Sequence, residues 1–172
     1  MVDGVEVTSF ASNDYLGLAG DRRLAEAAAE ASERWGTGAG ASRLIVGNHE
    51  THVTLERSIA EWMRCEAGGV RLFNSGYAAN TGVLTALLRE GDVVFSDELD
   101  HASIVDGCRL SRAAIEIYRH LDLADLERKL SRRTGRRRIV VTESVFSMDG
   151  DVADVAAIAE VAKRAEIGRA HV

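Results

Sequence analysis

Short apolar runs alternate with helical stretches through the second part of the chain, and this alternation is the pattern that most limits its fold. Val-Val-Phe at residues 93–95 and Ile-Val-Val at residues 139–141 are continuously apolar, as in strands covered on both faces. Strands that alternate with helices form βα units and a largely parallel sheet, so an α/β fold is predicted. Strands are predicted at residues 70–73, 92–96, 114–118 and 138–142, and helices at residues 77–88, 102–111, 123–132 and 155–164.

The first part of the chain has a different pattern. An extended segment at residues 5–11 precedes an Ala-rich helix at residues 22–35, for which Asp21 is the predicted N-cap. A loop with four glycines at residues 36–48 leads to a helix at residues 51–65. This loop lacks the Gly-Lys-Ser/Thr of a P-loop, and it follows a helix where a Rossmann motif follows a strand. A nucleotide site is therefore not predicted there.

Charge and composition exclude several partner classes. The formal net charge of −6 gives no reason to expect nucleic acid or an anionic membrane as partner. The Arg-rich run at residues 132–138 is interpreted as a solvated loop. No apolar run approaches the roughly 20 residues of a membrane span. Cys65 and Cys108 lack CxxC spacing and are read as free thiols, so a cytoplasmic protein is predicted.

Three polar runs, at residues 74–80, 100–103 and 142–151, follow predicted strands. Ligands of open parallel sheets bind beyond the carboxyl ends of the strands, so these runs form the candidate site. Gly76 begins a helix whose free N–H groups suit a phosphate, although the run also fits an ordinary turn. The His101 ring can stack on a flat ligand, or it can be a solvated residue at a helix start.

His49 and His52 stand three residues apart and could share a helix face. A zinc site needs more ligands and the HExxH order, which His-Glu-Thr-His does not have. No metal site is predicted, and a capping or surface role is preferred for both residues.

Longer motifs resemble the α-oxoamine synthase family of pyridoxal-phosphate (PLP) enzymes. SNDYLGL at residues 12–18 resembles a signature near the family's amino end, and residues 38–47 resemble its glycine-rich segment. DHAS at residues 100–103 and VFSMDG at residues 145–150 are close to its core motifs. The resemblance runs from about residue 5 to about residue 165. It implies a fold-type I, aspartate-aminotransferase-like fold, with an incomplete parallel-rich sheet flanked by helices.

The resemblance also implies roles for individual residues. Gly76 and Tyr77 are expected to contact PLP. His101 is expected to stack on the cofactor ring and approach the substrate, as the catalytic residue. Ser147 is expected to hydrogen-bond the phenolic oxygen of PLP, and Asn13 to lie near the substrate, from a neighbouring subunit. The implied domains are an amino-terminal segment with the glycine-rich loop at residues 1–50 and part of a large PLP-binding domain at residues 51–165.

The implied activity is condensation of L-alanine with an acyl-CoA or acyl-carrier thioester in a homodimer, as in the branch of the family that serves biotin synthesis. The glycine-using branches remain open. The chemistry needs a lysine that holds PLP as a Schiff base, but the chain has only Lys129 and Lys163, neither in a suitable setting. A non-catalytic fragment is therefore the alternative. Residues 166–172 are expected to be a non-native tail, because DNA that encodes them resembles a sequencing adaptor.

Overall fold

The computed structural model describes residues 3–8 and 10–167, in two compact units, Met1–Arg71 and Leu72–Val172. In the first unit, two α-helices, α1 (Arg22–Trp35) and α2 (Glu50–Met63), are accompanied by short 3₁₀ turns at Leu18–Gly20 and Ala67–Gly69. Asp21 caps α1 as predicted, because its carboxylate accepts a hydrogen bond from the Arg23 N–H at 2.8 Å. The predicted boundary at residue 50 lies inside this unit, where α2 begins.

A parallel three-stranded sheet forms the centre of the second unit. The strands are β1 (Val93–Asp97), β2 (Ala114–Tyr118) and β3 (Arg138–Val141), in the order β2-β1-β3. The helices are α3 (Gly76–Leu87), α4 (Ala102–Leu110), α5 (Leu123–Arg132) and α6 (Val155–Arg164). Every residue of β1 is buried, as expected of a central strand with a neighbour on each side.

Successive side chains of β1 enter two different apolar clusters, because a strand points alternate residues to opposite faces. Val93 and Phe95 join a cluster with Leu126 and Leu130 of α5 and Ile158 and Val161 of α6. Val94 joins a second cluster with Leu84 of α3 and Ile104 and Cys108 of α4. The sheet is thus covered by helices on both faces, as the continuous apolar runs predicted.

Most predicted elements of this unit are confirmed, several of them to the residue: β2, α5 and α6 have the predicted bounds. The strand predicted at residues 70–73 is wrong, because this segment is irregular and pairs with no strand among the described residues. A strand needs the backbone groups of a neighbour, and its apolar residues alone do not provide them. Within the described residues, no helix is long and apolar enough to cross a membrane.

The Arg-rich run is not simply a solvated loop. Arg136 donates to the Oδ2 of buried Asp92 at 2.7 Å, and the Arg137 N–H donates to Oδ1 of the same carboxylate at 3.1 Å. Burial raises the pKa of Asp92, but the hydrogen bonds from Arg89 and Arg137 and the charge of Arg136 outweigh burial and lower it. The Arg-rich run therefore holds Asp92, directly before β1, through long-range hydrogen bonds. The local charge pattern does not reveal these contacts.

The end of α6 is closed by a left-handed residue. Glu166 has a φ of 60°, and the Ile167 N–H returns to the Ala162 carbonyl at 2.9 Å, as in a Schellman motif. This turn places Ile167 in the apolar cluster beside α5 and α6. Of the predicted tail, residues 168–172 lie outside the described residues.

Candidate functional site

The amino ends of α3 and α4 and the carboxyl end of β3 meet at one cavity of about 680 Å³. Its polar side chains come from all three polar runs and are those of Tyr77, Asn80, His101, Ser103, Thr142, Glu143 and Ser144. Most of its apolar lining comes from the body of α3, from β3 and from α6, and Ile104, Val145 and Ile167 complete it. The predicted placement of a ligand beyond the strand ends therefore corresponds to a real concave surface.

The first turn of α3 has the features of an anion site. The Ser75 hydroxyl caps the helix by accepting from the Ala78 N–H at 3.1 Å, while the first N–H groups, those of Gly76 and Tyr77, have no intrahelical acceptor. A Cβ added at Gly76 would meet no atom within 4 Å, so the space beside this backbone is open. Backbone donors and the positive end of the helix dipole thus face open space, which favours an anionic ligand.

His101 is held from three directions at the start of α4. Its Nδ1 accepts from the Ser103 N–H at 3.1 Å and lies 2.7 Å from the Ser103 hydroxyl. The Asn80 amide donates to that hydroxyl at 2.9 Å, so the hydroxyl proton is free to point at Nδ1. The His101 backbone N–H donates to Oε1 of Glu143 at 2.6 Å. The geometry assigns a neutral ring that accepts at Nδ1 and carries its proton on Nε2.

Tyr77 is tied to α4 by its hydroxyl, which donates to Oδ2 of Asp106 at 3.0 Å. This hydrogen bond to a carboxylate, with the negative charge of Asp106, raises the pKa of Tyr77. The ring is about half exposed and borders the cavity, so it is oriented before any ligand is present.

Asp100 lies directly before His101, and its side chain is buried. Its Oδ2 accepts from the Ser96 hydroxyl at 2.7 Å and from the Asp97 N–H at 3.0 Å, whereas Oδ1 has no hydrogen-bond partner among the residues that the structure describes. Burial raises the pKa of Asp100 to about 7, and the charges of Asp97 and Glu143 act in the same direction. A protonated Oδ1 would remove the cost of burying an unpaired charge.

The structure brings together three of the five predicted site residues: Gly76, Tyr77 and His101 all line the cavity. Ser147 does not line it and lies exposed in the turn that follows Phe146. Asn13 belongs to the first unit, where its Oδ1 accepts from the Tyr15 hydroxyl at 3.4 Å. The roles proposed for these five residues stay predictions.

Neither lysine is at the cavity. The ammonium of Lys129 donates to the Ile117 carbonyl and lies 3.3 Å from Oδ2 of Asp125. Lys163 is exposed near the end of α6. Among the residues that line the cavity there is no amine that could hold a carbonyl ligand covalently.

Sequence reasoning missed the residues that orient His101. A serine two positions after a helix-capping histidine was a local signal for Ser103. The contribution of Asn80 had no comparable signal, because its partner lies 23 residues away. Glu143 is likewise 42 residues from the backbone group that it accepts.

The predicted capping role of the histidine pair is confirmed. Nδ1 of His52 accepts from the His49 backbone N–H at 3.1 Å, which satisfies a donor at the start of α2. In the part of the chain that the structure describes, no three His, Cys, Asp or Glu side chains are grouped as metal ligands would be.

The sequence of this chain is similar to those of known proteins. A family model described as aminotransferase class I and II matches residues 5–172. The 8-amino-7-oxononanoate synthase of Thermoanaerobacter pseudethanolicus is 52% identical over 166 residues, which are 95% of this chain and 42% of the relative. That of Geobacter metallireducens is 54% identical over 160 residues, 92% of this chain and 40% of the relative. The chain therefore spans about two fifths of the length of these curated relatives.

Two solved structures superpose on nearly the same share of this chain. A serine palmitoyltransferase from S. paucimobilis with bound PLP and myriocin superposes with a TM-score of 0.85 and 34% identity, over 90% of this chain and 40% of that one. An 8-amino-7-oxononanoate synthase from Francisella tularensis superposes with a TM-score of 0.71 and 27% identity, over 88% of this chain and 41% of that one.

Proposed function

The chain belongs to the class I and II aminotransferase family, and on that premise we propose that it is part of an 8-amino-7-oxononanoate synthase. The predicted fold-type I architecture, with an incomplete parallel sheet between helices, is confirmed. The proposed reaction joins L-alanine to pimeloyl-CoA, or to the pimeloyl-carrier protein. It releases 8-amino-7-oxononanoate, CO2 and the free thiol in biotin biosynthesis. The observation that carries the proposal is the convergence of His101, Tyr77 and the α3 amino end on one cavity.

The residues at this cavity fit PLP. A phosphate needs N–H donors and open space, and the first turn of α3 has both at Gly76 and Tyr77. A pyridine ring needs a flat partner, and the His101 imidazole at the cavity wall is one. When bound, PLP supplies an electron sink for the electron pair left at the α-carbon of the amino acid. Non-covalent retention of PLP is therefore assigned to Gly76, Tyr77 and His101, and Ser147 is retained as the proposed partner of the phenolic oxygen.

His101 is proposed to act through the face of its ring and through one proton. Because Nδ1 is occupied by Ser103, the ring cannot flip without losing two hydrogen bonds. Its proton at Nε2 is then available to a substrate oxygen, while the neutral ring stacks without adding positive charge. Glu143 and Asn80 contribute indirectly, by holding the backbone of His101 and the hydroxyl of Ser103.

The covalent anchor of PLP must come from outside these residues. Lys129 is engaged with Ile117 and Asp125, and Lys163 is exposed on α6, away from the cavity lining. We assign the Schiff-base lysine to the remainder of the parent protein, by which we mean the longer, cytoplasmic and homodimeric protein that is proposed to contain this chain. The placement of both lysines also favours the second candidate, that the 172 residues alone are a non-catalytic fragment.

Titration of the parent protein with amino acids tests the substrate assignment. Purified with PLP, the parent protein is expected to change its visible absorption at lower concentrations of L-alanine than of glycine. Mass spectrometry after addition of pimeloyl-CoA is expected to detect 8-amino-7-oxononanoate. A preference for glycine would instead assign the protein to another branch, 5-aminolevulinate synthase or 2-amino-3-ketobutyrate CoA ligase. A parent protein that binds no PLP would contradict membership of the PLP-dependent branch altogether.

A further inference from the structure

The His120 side chain lies between the end of β1 and the segment that follows β3, and it does not line the cavity. Its Nδ1 lies 2.8 Å from Oδ1 of Asp97, at the end of β1, and its Nε2 lies 3.2 Å from Oδ2 of Asp151. Asp97 is fully buried, whereas about 45% of the Asp151 side chain is exposed. The His120 backbone N–H also donates to Oε1 of Glu98 at 2.8 Å. One ring therefore joins the end of β1 to the segment that follows β3.

Both ring nitrogens of His120 face carboxylate oxygens, and a carboxylate can only accept. The ring can satisfy both at once only as an imidazolium that donates from Nδ1 and from Nε2. The hydrogen bond to Asp97 is the largest cause that raises the pKa of His120, and Asp151 acts in the same direction. The carboxylates at the two ring nitrogens are Asp97, at the end of β1, and Asp151, from the segment after β3, whereas Glu98 accepts from the His120 backbone N–H. The adjacent Arg119 is paired with Asp122.

The segment that Asp151 belongs to carries Ser147. Val145 and Val152 form an antiparallel bridge, and the Phe146 N–H donates to the Asp151 carbonyl at 2.8 Å. Phe146 is buried, and the His120 ring meets its ring edge-on with 4.5 Å between centroids. Ser147 occupies the turn between these two ends. Holding Asp151 and Phe146 therefore fixes both ends of the turn that presents the Ser147 hydroxyl.

We propose that His120, as an imidazolium between Asp97 and Asp151, is a positioning residue that holds the Ser147 turn for cofactor binding. We call the contact of these three side chains the His120 clamp. The inference rests on the proposed function only in that PLP is the ligand of the Ser147 turn; the clamp itself needs no ligand. His120 is not proposed to touch substrate or cofactor, and it acts through Asp151.

The pH dependence follows from the raised pKa of His120. A histidine whose pKa is raised by folding contributes stability that is complete below its unfolded value of 6.5 and is lost as the pH rises through the raised folded value. The clamp is therefore closed in mildly acidic solution and opens in alkaline solution. The neutral ring keeps one hydrogen bond and loses the other, so the exposed end at Asp151 is released first.

The test compares two aspartates of the same turn in the parent protein. Asp151→Asn removes the negative charge at the exposed end of the clamp and leaves only a neutral amide oxygen as acceptor, and Asp149→Asn removes the same charge two residues away, where no clamp contact exists. His120→Ala is the third variant. Amide hydrogen exchange of residues 143–153 is followed by mass spectrometry without PLP, and the dissociation constant of PLP is measured at pH 6 and pH 9.

At pH 6, exchange of residues 143–153 is expected to rise about tenfold in Asp151→Asn and in His120→Ala, with no change in Asp149→Asn. The dissociation constant of PLP is expected to rise severalfold in the same two variants, and the difference from wild type to shrink at pH 9. Unchanged exchange in Asp151→Asn, or an equal effect of Asp149→Asn, overturns the clamp. Raised exchange with unchanged PLP affinity overturns its role in cofactor binding. If the wild type binds no PLP, the proposed function fails, and the exchange comparison still decides the clamp.

Discussion

The hydroxyl of Ser103 lies 2.7 Å from Nδ1 of His101 and 2.9 Å from the amide nitrogen of Asn80. These three residues come from two helices, α3 and α4, so the orientation of His101 is set by helix packing. The same ring is the cavity residue assigned to stack on PLP. A change at Ser103 therefore acts on the site without touching the ligand.

Ser103→Ala is expected to release the His101 ring and to lower the stability of the fold. The substitution leaves the Asn80 amide without its acceptor and removes the hydroxyl bond to Nδ1, at a cost of about 1–3 kcal/mol. Nitrogen-15 NMR of the imidazole should show a single Nε2-protonated tautomer in the wild type and a minor Nδ1-protonated tautomer in the variant, because only the backbone N–H of residue 103 then donates to Nδ1. Ser131→Ala is the control, because the Ser131 hydroxyl is exposed on α5 and donates to the Arg128 carbonyl of its own helix at 2.8 Å. A wild-type imidazole that carries its proton on Nδ1 would refute the assigned network.

His101→Ala in the parent protein is expected to weaken retention of PLP and to reduce turnover strongly, whereas His101→Phe should retain more of the cofactor than Ala. A flat ring stacked on a pyridine contributes roughly 0.5–1.5 kcal/mol beyond buried area, or about two- to tenfold in affinity. Equilibrium dialysis of PLP against the three proteins measures this order. Equal PLP affinity in all three would show that His101 is only a helix-capping residue.

The local sequence pattern predicted where the helices and strands of the second unit begin and end. It did not predict which strands pair with each other. The bounds of β2, α5 and α6 followed from periodicity, and the cap at Asp21 followed from residue type. The apolar segment at residues 70–73 had the composition of a strand, but sheet formation depends on a neighbour that composition does not reveal.

The same distinction applies to the site. Gly76 and His101 were singled out because each stands at the start of a helix after a strand-like or polar run, a local signal, and Tyr77 was added by the family resemblance. The Glu143 contact with His101, the Asn80 contact with Ser103 and the His120 clamp join residues between 23 and 42 positions apart. Contacts of that kind are decided by the packing of β1, α3 and α4, which a single sequence does not specify.

Asp100→Asn is expected to stabilise the fold in alkaline solution and to have little effect in acid. Burial raises the pKa of Asp100 from 3.8 to about 7, so the folded state binds its proton more tightly than the unfolded state. That contribution to stability is complete below 3.8 and is lost as the pH rises through about 7. Above pH 7 the wild type carries a buried charge beside Asp97, which the amide avoids, for a gain of at most about 4 kcal/mol.

Urea unfolding of wild type and Asp100→Asn at pH 4 and pH 8 measures this difference. The free energies of unfolding should agree at pH 4 and diverge at pH 8, with the variant more stable. Asp149→Asn is the matched control, because it makes the same change at an exposed position and should follow the wild type at both values. A variant that is less stable than the wild type at pH 8 would show that Asp100 is needed as a charged group.

The 172-residue chain itself is expected to form no defined covalent link with PLP and to catalyse no condensation. Lys129 is held by the Ile117 carbonyl and by Asp125, so its amine is already engaged by two partners, and Lys163 is exposed beside Arg164 on the last turn of α6. A stable imine needs a neutral amine in a pocket that excludes water, and neither lysine borders the cavity.

Borohydride reduction in the presence of PLP, followed by peptide mapping, should give only sparse labelling spread over both lysines. The parent protein, treated in parallel, should give stoichiometric labelling at a lysine outside these residues. Stoichiometric labelling of Lys129 or Lys163, together with alanine-dependent release of CoA by the 172 residues, would contradict this prediction, because one of these lysines would then be the catalytic one.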